Sequence, residues 1–433
     1  MKLRVAVAIA AVAAVAVGPL AACSSGGGAQ SKSKPKSLTV LIVPSPSATA
    51  LEAVAPAYTK QSGVAVHFVS VPYDQHATKL VLEGQSKSGS FDIAQFDQPA
   101  LASIVPAKGL LALDKFITND TTYDINDFPK PLQAYSQLDG ATYGIPLSTE
   151  PYVNFYRTDI YKQLGLTPAT TWQEVDSNAA AVSAKGGTHY GWDGPYGPTI
   201  DSGPEYFERL LQNGGRLLDP TTSEPLLDTP IAIQTMQAFI DLAKYSPPST
   251  LSGTSGDSAT AFTQLNVGSN IQPSGWYGTL NDAKTSKAAG DVGVAPVPAG
   301  SGGPYPPVNI LKGWLIGINP NSQYQQESWN FLSFALGKQN VPAFIDAGAP
   351  VPGRTSTLES AEFNAGLPYL KYLLPGIQSG TTLPTIPELG EITTAVCQAI
   401  SSMANEGKNV ASTMKSLNSK VRQVLERSGR LKG

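Results

Sequence analysis

The stretch that decides the fold is residues 38–97, LTVLIVPSPSATALEAVAPAYTKQSGVAVHFVSVPYDQHATKLVLEGQSKSGSFDIAQFD. The almost wholly apolar segment 38–44 is typical of a strand buried on both faces. Residues 48–63 follow with helical spacing and a glycine stop. Two more strands, at 64–72 and 91–97, flank a second helical segment. This alternation predicts βαβ units, and hence a mainly parallel sheet with helices packed on it.

Polar residues follow the first and third of these strands. Ser45 comes just after the first strand, and Asp97 and Gln98 end the third. In open sheets of this kind, ligands bind beyond the carboxyl ends of the strands. We therefore expect these three residues to border a binding site.

The remainder of the chain predicts a second α/β unit. Residues 140–166 contain two adjoining strands, one leaving the first unit and one opening the next. An amphipathic helix at 229–246 and strands at 266–280 and 311–320 follow, and a long helical tail covers 389–427. A body of this length fits two or three domains.

The composition excludes several classes of function. Hydrophobic residues make up 41% of the 433 residues, charged residues 15%, and the formal net charge is −3. No basic run could follow a nucleic-acid backbone. No P-loop or dinucleotide-binding glycine motif follows a strand, and no Gly-x-Ser-x-Gly elbow is present. Two cysteines and three scattered histidines predict no disulfide and no metal site, so we expect no cofactor.

The first 37 residues predict an export signal and a tether. Residues 5–17 form an unbroken apolar run of 13 residues, too short for a membrane span of about 20 residues but suited to a signal peptide. The run ends in LAAC at 20–23, which resembles the lipobox of bacterial lipoproteins. That resemblance implies a signal peptide at 1–22 and acylation of Cys23. Residues 23–37 are rich in Gly, Ser and Lys and predict a flexible tether.

Five motifs in order resemble the sugar-binding family of extracellular solute-binding proteins of bacterial ABC importers, the family that includes maltose-binding protein. Each is weak alone, but they occur in family order, and the resemblance as a whole extends over essentially all of residues 38–425. They are FDIAQFDQPALASIVPAKGLLALD (91–114), DGATYGIPLSTEPYVNFYRTDIYKQLGLTPATTWQEV (139–175), NVGSNIQPSGWYG (266–278), LKGWLIGINPNSQYQQESWNFLSFAL (311–336) and AGAPVPGR (347–354).

The resemblance implies two α/β lobes joined by hinge strands, the periplasmic-binding-protein-like fold, with solute held between them. The crossings would lie near Leu147, Val297 and Val351. The expected bounds are 38–147 and 297–350 for lobe one, and 148–296 and 351–433 for lobe two.

A sugar offers an apolar face for aromatic rings and a rim of hydroxyls for carboxylates and amides. Trp276, Tyr277, Asp97 and Glu150 occupy positions that this family uses for such contacts. Trp314 follows a glycine that permits close approach, and Arg354 follows the third crossing. Trp172 and Trp329 lie within helical patterns and are assigned to packing. The predicted solute-binding residues are Ser45, Asp97, Gln98, Glu150, Tyr152, Trp192, Trp276, Tyr277, Gly313, Trp314 and Arg354.

The expected function is solute capture without chemistry, by a monomer held at the outer face of the cell membrane through its lipid anchor. A permease with a separate ATPase would be the partner. Three alternatives remain open: a non-sugar solute such as a polyamine or a glycerophosphodiester, a glycoside hydrolase using Asp97 and Glu150, and an adaptor or adhesin. Thr393 stands where maltose-binding protein carries a tryptophan, which disfavours maltodextrin as the ligand.

Overall fold

The computed structural model describes residues 34–187, 189–199, 201–300 and 302–431. The predicted signal peptide, Cys23 and most of the predicted tether lie outside the described residues. Among the helices of the described part, none is long and apolar enough to cross a lipid bilayer.

The described residues form strands and helices, each numbered here in chain order. The strands are β1 Ser37–Ile42, β2 Ala65–Ser70, β3 Ile93–Asp97, β4 Gln137–Leu138, β5 Ala141–Thr142, β6 Ile145–Pro146, β7 Tyr152–Arg157, β8 His189–Trp192, β9 Asn266–Pro273, β10 Val292–Ala295, β11 Asn309–Ile310, β12 Trp314–Ile318 and β13 Gly380–Thr381. The helices are α1 Pro46–Ser62, α2 Tyr73–Ser86, α3 Leu101–Ile104, α4 Asp114–Asn119, α5 Lys130–Tyr135, α6 Thr158–Leu164, α7 Trp172–Ser183, α8 Ser202–Gln212, α9 Pro230–Asp241, α10 Ser255–Gln264, α11 Tyr277–Leu280, α12 Gln325–Ala335, α13 Val341–Asp346, α14 Thr355–Leu358, α15 Ala361–Gly366, α16 Leu370–Gln378, α17 Leu389–Glu406 and α18 Val410–Arg427.

Lobe one is built on a five-stranded sheet of order β2-β1-β3-β12-β6. Strand β1 is parallel to β2 and β3, as the predicted βαβ units require, because α1 and α2 each return the chain to the same sheet edge. Strand β12 is antiparallel to both β3 and β6. It enters the sheet from the hinge, at the edge where β3 ends, so it must run the opposite way.

Lobe two is built on a four-stranded sheet of order β10-β7-β9-β8. Only β8 and β9 are parallel, whereas β7 pairs antiparallel with both β9 and β10. Strands β8, β9 and β10 therefore run in one direction and β7 runs against them, as β12 does in lobe one, so each sheet is mainly parallel, as expected, with one antiparallel strand. The cause is that β7 begins at the hinge edge where β9 ends, with Tyr152 opposite Pro273.

The predicted long helical tail is two helices. Helix α17 ends at Gly407, which adopts a left-handed φ of 67°. The side chain of Asn409 then accepts a hydrogen bond from the Ser412 amide and starts α18. A glycine stop followed by an asparagine cap is a local signal that separates two helices.

Three chain segments lie side by side at the hinge. The Leu147 amide donates to the Trp314 carbonyl at 2.8 Å, and the Glu150 amide donates to the Lys312 carbonyl at 2.8 Å. The Thr149 amide donates to Val351 at 3.2 Å. The hinge therefore consists of residues near 147–150, 311–314 and 351.

The second crossing lies later than the expected Val297. The Ala299 amide donates to the Thr170 carbonyl at 2.8 Å, and the Ile310 amide donates to Glu208 Oε2 at 2.7 Å. Both partners belong to lobe two, so residues 297–310 stay with that lobe. The crossing at Val297 is corrected to 311–313.

The first residues after the third crossing return to lobe one. Both the amide and the hydroxyl of Ser356 donate to the Asp127 carboxylate, at 3.0 and 2.8 Å. The expectation that all of 351–433 belongs to lobe two is therefore wrong for this segment. Helices α17 and α18 do pack in the core of lobe two, against α8 and α9.

Candidate functional site

The edge of lobe one presents a carboxylate flanked by two aromatic rings. Asp97 ends β3 directly opposite Trp314, the first residue of β12. The Tyr73 hydroxyl donates to Asp97 Oδ2 at 2.5 Å, and its ring meets Trp314 edge-on with centroids 5.8 Å apart. Tyr73 is 42% exposed. Sequence reasoning missed Tyr73, although its place just beyond the end of β2 obeys the same strand-end rule that pointed to Asp97.

Two of the predicted lobe-one residues are already hydrogen-bonded. The Ser45 hydroxyl accepts from the Ala48 amide at 3.2 Å and from Gln95 Nε2 at 3.3 Å, so it caps α1. The Gln98 side chain donates to Thr385 Oγ1 at 2.5 Å. Thr385 precedes α17, and this bond therefore joins the edge of lobe one to lobe two.

The hinge holds Glu150 beside the end of β9. The Ser148 hydroxyl donates to Glu150 Oε1 at 2.5 Å and accepts from the Trp314 amide at 3.1 Å. A Cβ placed on Gly275 would lie 2.5 Å from Glu150 Oε2, so the carboxylate packs against that backbone. Burial raises the pKa of Glu150, and the Ser148 hydrogen bond partly opposes this rise.

An aromatic pair follows the end of β9, next to Gly275, whose backbone packs against Glu150. Trp276 and Tyr277 are both partly exposed rather than buried inside a lobe. The Tyr277 ring packs on buried Tyr369, with centroids 5.0 Å apart. The position of the pair leaves part of each ring free for contact with another molecule.

Lobe two contributes a buried polar floor. Tyr152 and Glu205 are 4% and 6% exposed, and Gln272 Nε2 donates to Glu205 Oε1 at 3.0 Å. Gln272 Oε1 and Ser274 Oγ are buried without a hydrogen-bond partner among the residues the structure describes. Burial, reinforced by the charges of Asp201 and Asp193, raises the pKa of Glu205 well above its usual range. The raised pKa favours the protonated form of Glu205, in which a carboxyl group can donate as well as accept hydrogen bonds.

Lys312 is a second residue that sequence reasoning missed. It is half-buried in the hinge, and its Nζ lies 5.3 Å from the centre of the Tyr152 ring. Removal from water raises the pKa values of Asp97, Glu150 and Glu205, and at each of them the charge of Lys312 opposes the rise. A lysine at a strand entry is not distinctive in sequence, and only the fold places it among these carboxyl groups.

Two predicted contacts are corrected to structural roles. Trp192 is 2% exposed in the core of lobe two, and its indole N–H donates to the Tyr196 hydroxyl at 3.1 Å. Gly313 has a φ of 148°, and a Cβ there would lie 2.2 Å from the Ser148 carbonyl oxygen. Its lack of a side chain lets two hinge backbones meet closely.

Arg354 is also structural. It is 1% exposed, and its guanidinium donates to the carbonyls of Tyr123, Asp124 and Leu336. It also lies 3.5 Å from Asp127 Oδ2. Nearly all of its donors are used inside lobe one, so the expectation that Arg354 contacts solute is wrong.

Comparisons with known proteins agree with this architecture. The model of the family described as "Bacterial extracellular solute-binding protein" matches residues 44–342. A Sinorhizobium fredii protein named "Probable amino-acid ABC transporter periplasmic-binding protein" is 25% identical over 393 residues, which is 88% of this chain and 88% of that protein.

Two solved structures are similar to this chain over most of its length. The ribitol complex of an ABC transporter solute-binding protein from Agrobacterium radiobacter has a TM-score of 0.81 at 22% identity, covering 90% of this chain and 100% of that one. Maltose-bound MalE3 of T. maritima has a TM-score of 0.79 at 19% identity, covering 90% and 100%. These similarities confirm the two-lobed α/β fold expected from the sequence.

Proposed function

The chain belongs to the family of bacterial extracellular solute-binding proteins, the binding components of ABC transporters, and on that premise we propose that it captures a sugar or polyol between its lobes. In this proposal the solute contacts the ends of the sheet strands in both lobes. It therefore binds the closed arrangement of the lobes more tightly than the open one and shifts the population towards closure. The closed protein then delivers the solute to a membrane permease driven by a separate ATPase.

One observation carries the proposal: partly exposed aromatic rings border a floor of buried polar atoms that lack partners. Trp314, Trp276 and Tyr277 are partly exposed, and Gln272 Oε1 and Ser274 Oγ have no hydrogen-bond partner within the part of the chain that the structure describes. A buried polar atom without a partner costs about 1–3 kcal/mol, which the hydroxyls of a solute would recover. A molecule with an apolar face and several hydroxyls meets both requirements.

The ionisation of the site favours a neutral solute over a polyamine. Burial raises the pKa values of Asp97, Glu150 and Glu205, which reduces the negative charge available to bind a cation. Lys312 adds a positive charge to the same group. Neutral carboxyls can both donate to and accept from hydroxyls, as a polyol requires.

We test the solute class by thermal shift and calorimetry on the purified protein. The panel contains pentitols, hexitols, monosaccharides, maltose, amino acids, spermidine and glycerophosphodiesters. We expect stabilisation by a polyol or sugar, and an affinity at least tenfold weaker in Trp276→Ala. Tyr245→Ala removes a partly exposed ring outside the cleft and should bind normally. Stabilisation only by amino acids, spermidine or phosphodiesters would reject the proposed solute class.

We also propose that the mature protein is anchored through an acylated Cys23. The variant Cys23→Ala should move the protein from the detergent phase to the aqueous phase in a detergent-partition assay of whole cells. Cys397→Ala is the matched control, because this thiol is buried in lobe two. Equal partitioning of the Cys23→Ala variant and the parent would contradict the anchor.

A further inference from the structure

Lys312 connects the hinge to the floor of lobe two. Its carbonyl accepts from the Glu150 amide at 2.8 Å, so its backbone is part of the hinge. Its side chain extends to the ring of Tyr152, with Nζ 5.3 Å from the ring centre. The side chain of Lys312 therefore extends from the hinge to the first strand of lobe two.

The ammonium has no ion pair within 4 Å and no hydrogen bond to any residue that the structure describes. Carboxyl groups of lobe one, the hinge and lobe two, namely Asp97, Glu150 and Glu205, nevertheless all feel its charge. A half-buried ammonium keeps access to water, and the hydroxyl oxygens of a bound solute can replace that water as hydrogen-bond acceptors. Gln272 Oε1, on the carboxamide that contacts Glu205, is buried and has no hydrogen-bond partner among the described residues.

We propose that Lys312 determines the charge preference of the cleft, donating hydrogen bonds to the hydroxyl oxygens of an uncharged polyol or sugar and excluding amino-substituted solutes. This inference rests on the proposed function. An amino group in place of a bound hydroxyl would bring two ammonium groups together, and like charges at close range repel. The charge of Lys312 favours the ionised forms of Asp97, Glu150 and Glu205, and without Lys312 the ammonium group of an amino-substituted solute could take over that role.

The experiment compares the parent protein with Lys312→Met and Lys312→Arg. Methionine keeps the length and shape of the side chain but removes the charge, whereas arginine keeps the charge. Calorimetry measures binding of ribitol, mannitol, glucose and galactose, of the amino-deoxy analogue of each, and of spermidine. Lys244→Met is the control, since Lys244 also lies over a tyrosine ring, at 4.9 Å, but is exposed outside the cleft.

We expect Lys312→Met to bind the neutral solute at least tenfold more weakly and to shift the preference for the amino analogue over the neutral solute by at least tenfold. Lys312→Arg should keep the parent preference. A Lys312→Met protein that melts like the parent but keeps both affinities would overturn this inference alone. Absence of binding of every neutral solute by the parent would overturn the proposed function and this inference together.

Discussion

The assignment of Arg354 to the fold rather than to the solute gives a quantitative prediction. The substitution is Arg354→Met, which keeps much of the apolar stem and removes the guanidinium. Three backbone carbonyls lose the guanidinium N–H group that donates to them. They are the carbonyls of Tyr123, Leu336 and Asp124, whose oxygens lie 2.9, 3.1 and 3.3 Å from the guanidinium nitrogens. Asp127 loses one of its two cationic neighbours and keeps the other, Lys338, whose Nζ lies 3.2 Å from Asp127 Oδ2.

The expected cost follows from these contacts. Each orphaned buried acceptor costs about 1–3 kcal/mol, although small shifts of the backbone recover part of this. Loss of the guanidinium from the rings of Phe128 and Tyr123, at 4.4 and 5.0 Å, adds about 1 kcal/mol. Asp127 keeps other partners, so it adds little. We expect the free energy of unfolding to fall by about 4 kcal/mol, near the usual range for breaking a buried ion pair.

Urea denaturation followed by circular dichroism measures this change, and calorimetry measures solute affinity below the transition. Arg216→Met is the matched control, because Arg216 also lies 5.0 Å from a tyrosine ring and donates to two carbonyls but is partly exposed. It should cost about 1 kcal/mol. An Arg354→Met protein with parent-like stability and no solute binding would refute the structural assignment and restore the ligand role.

Three further predictions concern the hinge, a buried acid and the contact between lobes. Gly313→Ala places a Cβ 2.2 Å from the Ser148 carbonyl oxygen and should lower the free energy of unfolding by about 2 kcal/mol; a parent-like urea midpoint would contradict this. Burial raises the pKa of Asp193 to about 8, so its contribution to stability is full below about pH 4 and falls as the pH rises through 8. The melting temperature of Asp193→Asn should therefore rise relative to that of the parent between pH 5 and pH 9. A difference in melting temperature that stays constant over this range would contradict the raised pKa of Asp193. Gln98→Ala removes the donor to Thr385 Oγ1 and, at about 1 kcal/mol, should weaken solute affinity about fivefold by calorimetry; an unchanged affinity would show that this bond does not favour closure.

The elements of lobe one could be predicted because their signals are local. Apolar runs, helical spacing and glycine stops within residues 38–97 gave β1, α1, β2, α2 and β3 to within a few residues. The same stretch placed Asp97 at a strand end, where it meets Trp314. The break in the tail at Gly407 was equally local and could have been recognised from the sequence.

The strand directions of lobe two could not be predicted from local sequence signals. Strand β7 and strand β9 are separated by more than a hundred residues, and their antiparallel pairing depends on both meeting the hinge at the same edge. The chain also stays in lobe two as far as Ile310, because Glu208 binds its amide. This contact joins residues 102 apart in the sequence, so a prediction from local pattern placed the crossing too early, at Val297.

The sequence by itself determined which segments form helices and strands, that five motifs occur in family order, and which residue types stand at strand ends. Only the tertiary structure decided that Trp192 is buried while Trp276 remains partly exposed, although both lie at the carboxyl end of a strand beside a glycine. It also decided that Arg354 binds carbonyls some 230 residues away and that Lys312 lies among carboxyl groups. The physical reason is that helix and strand formation depend on neighbouring residues, whereas burial and hydrogen-bond partners depend on segments that meet only in the folded chain.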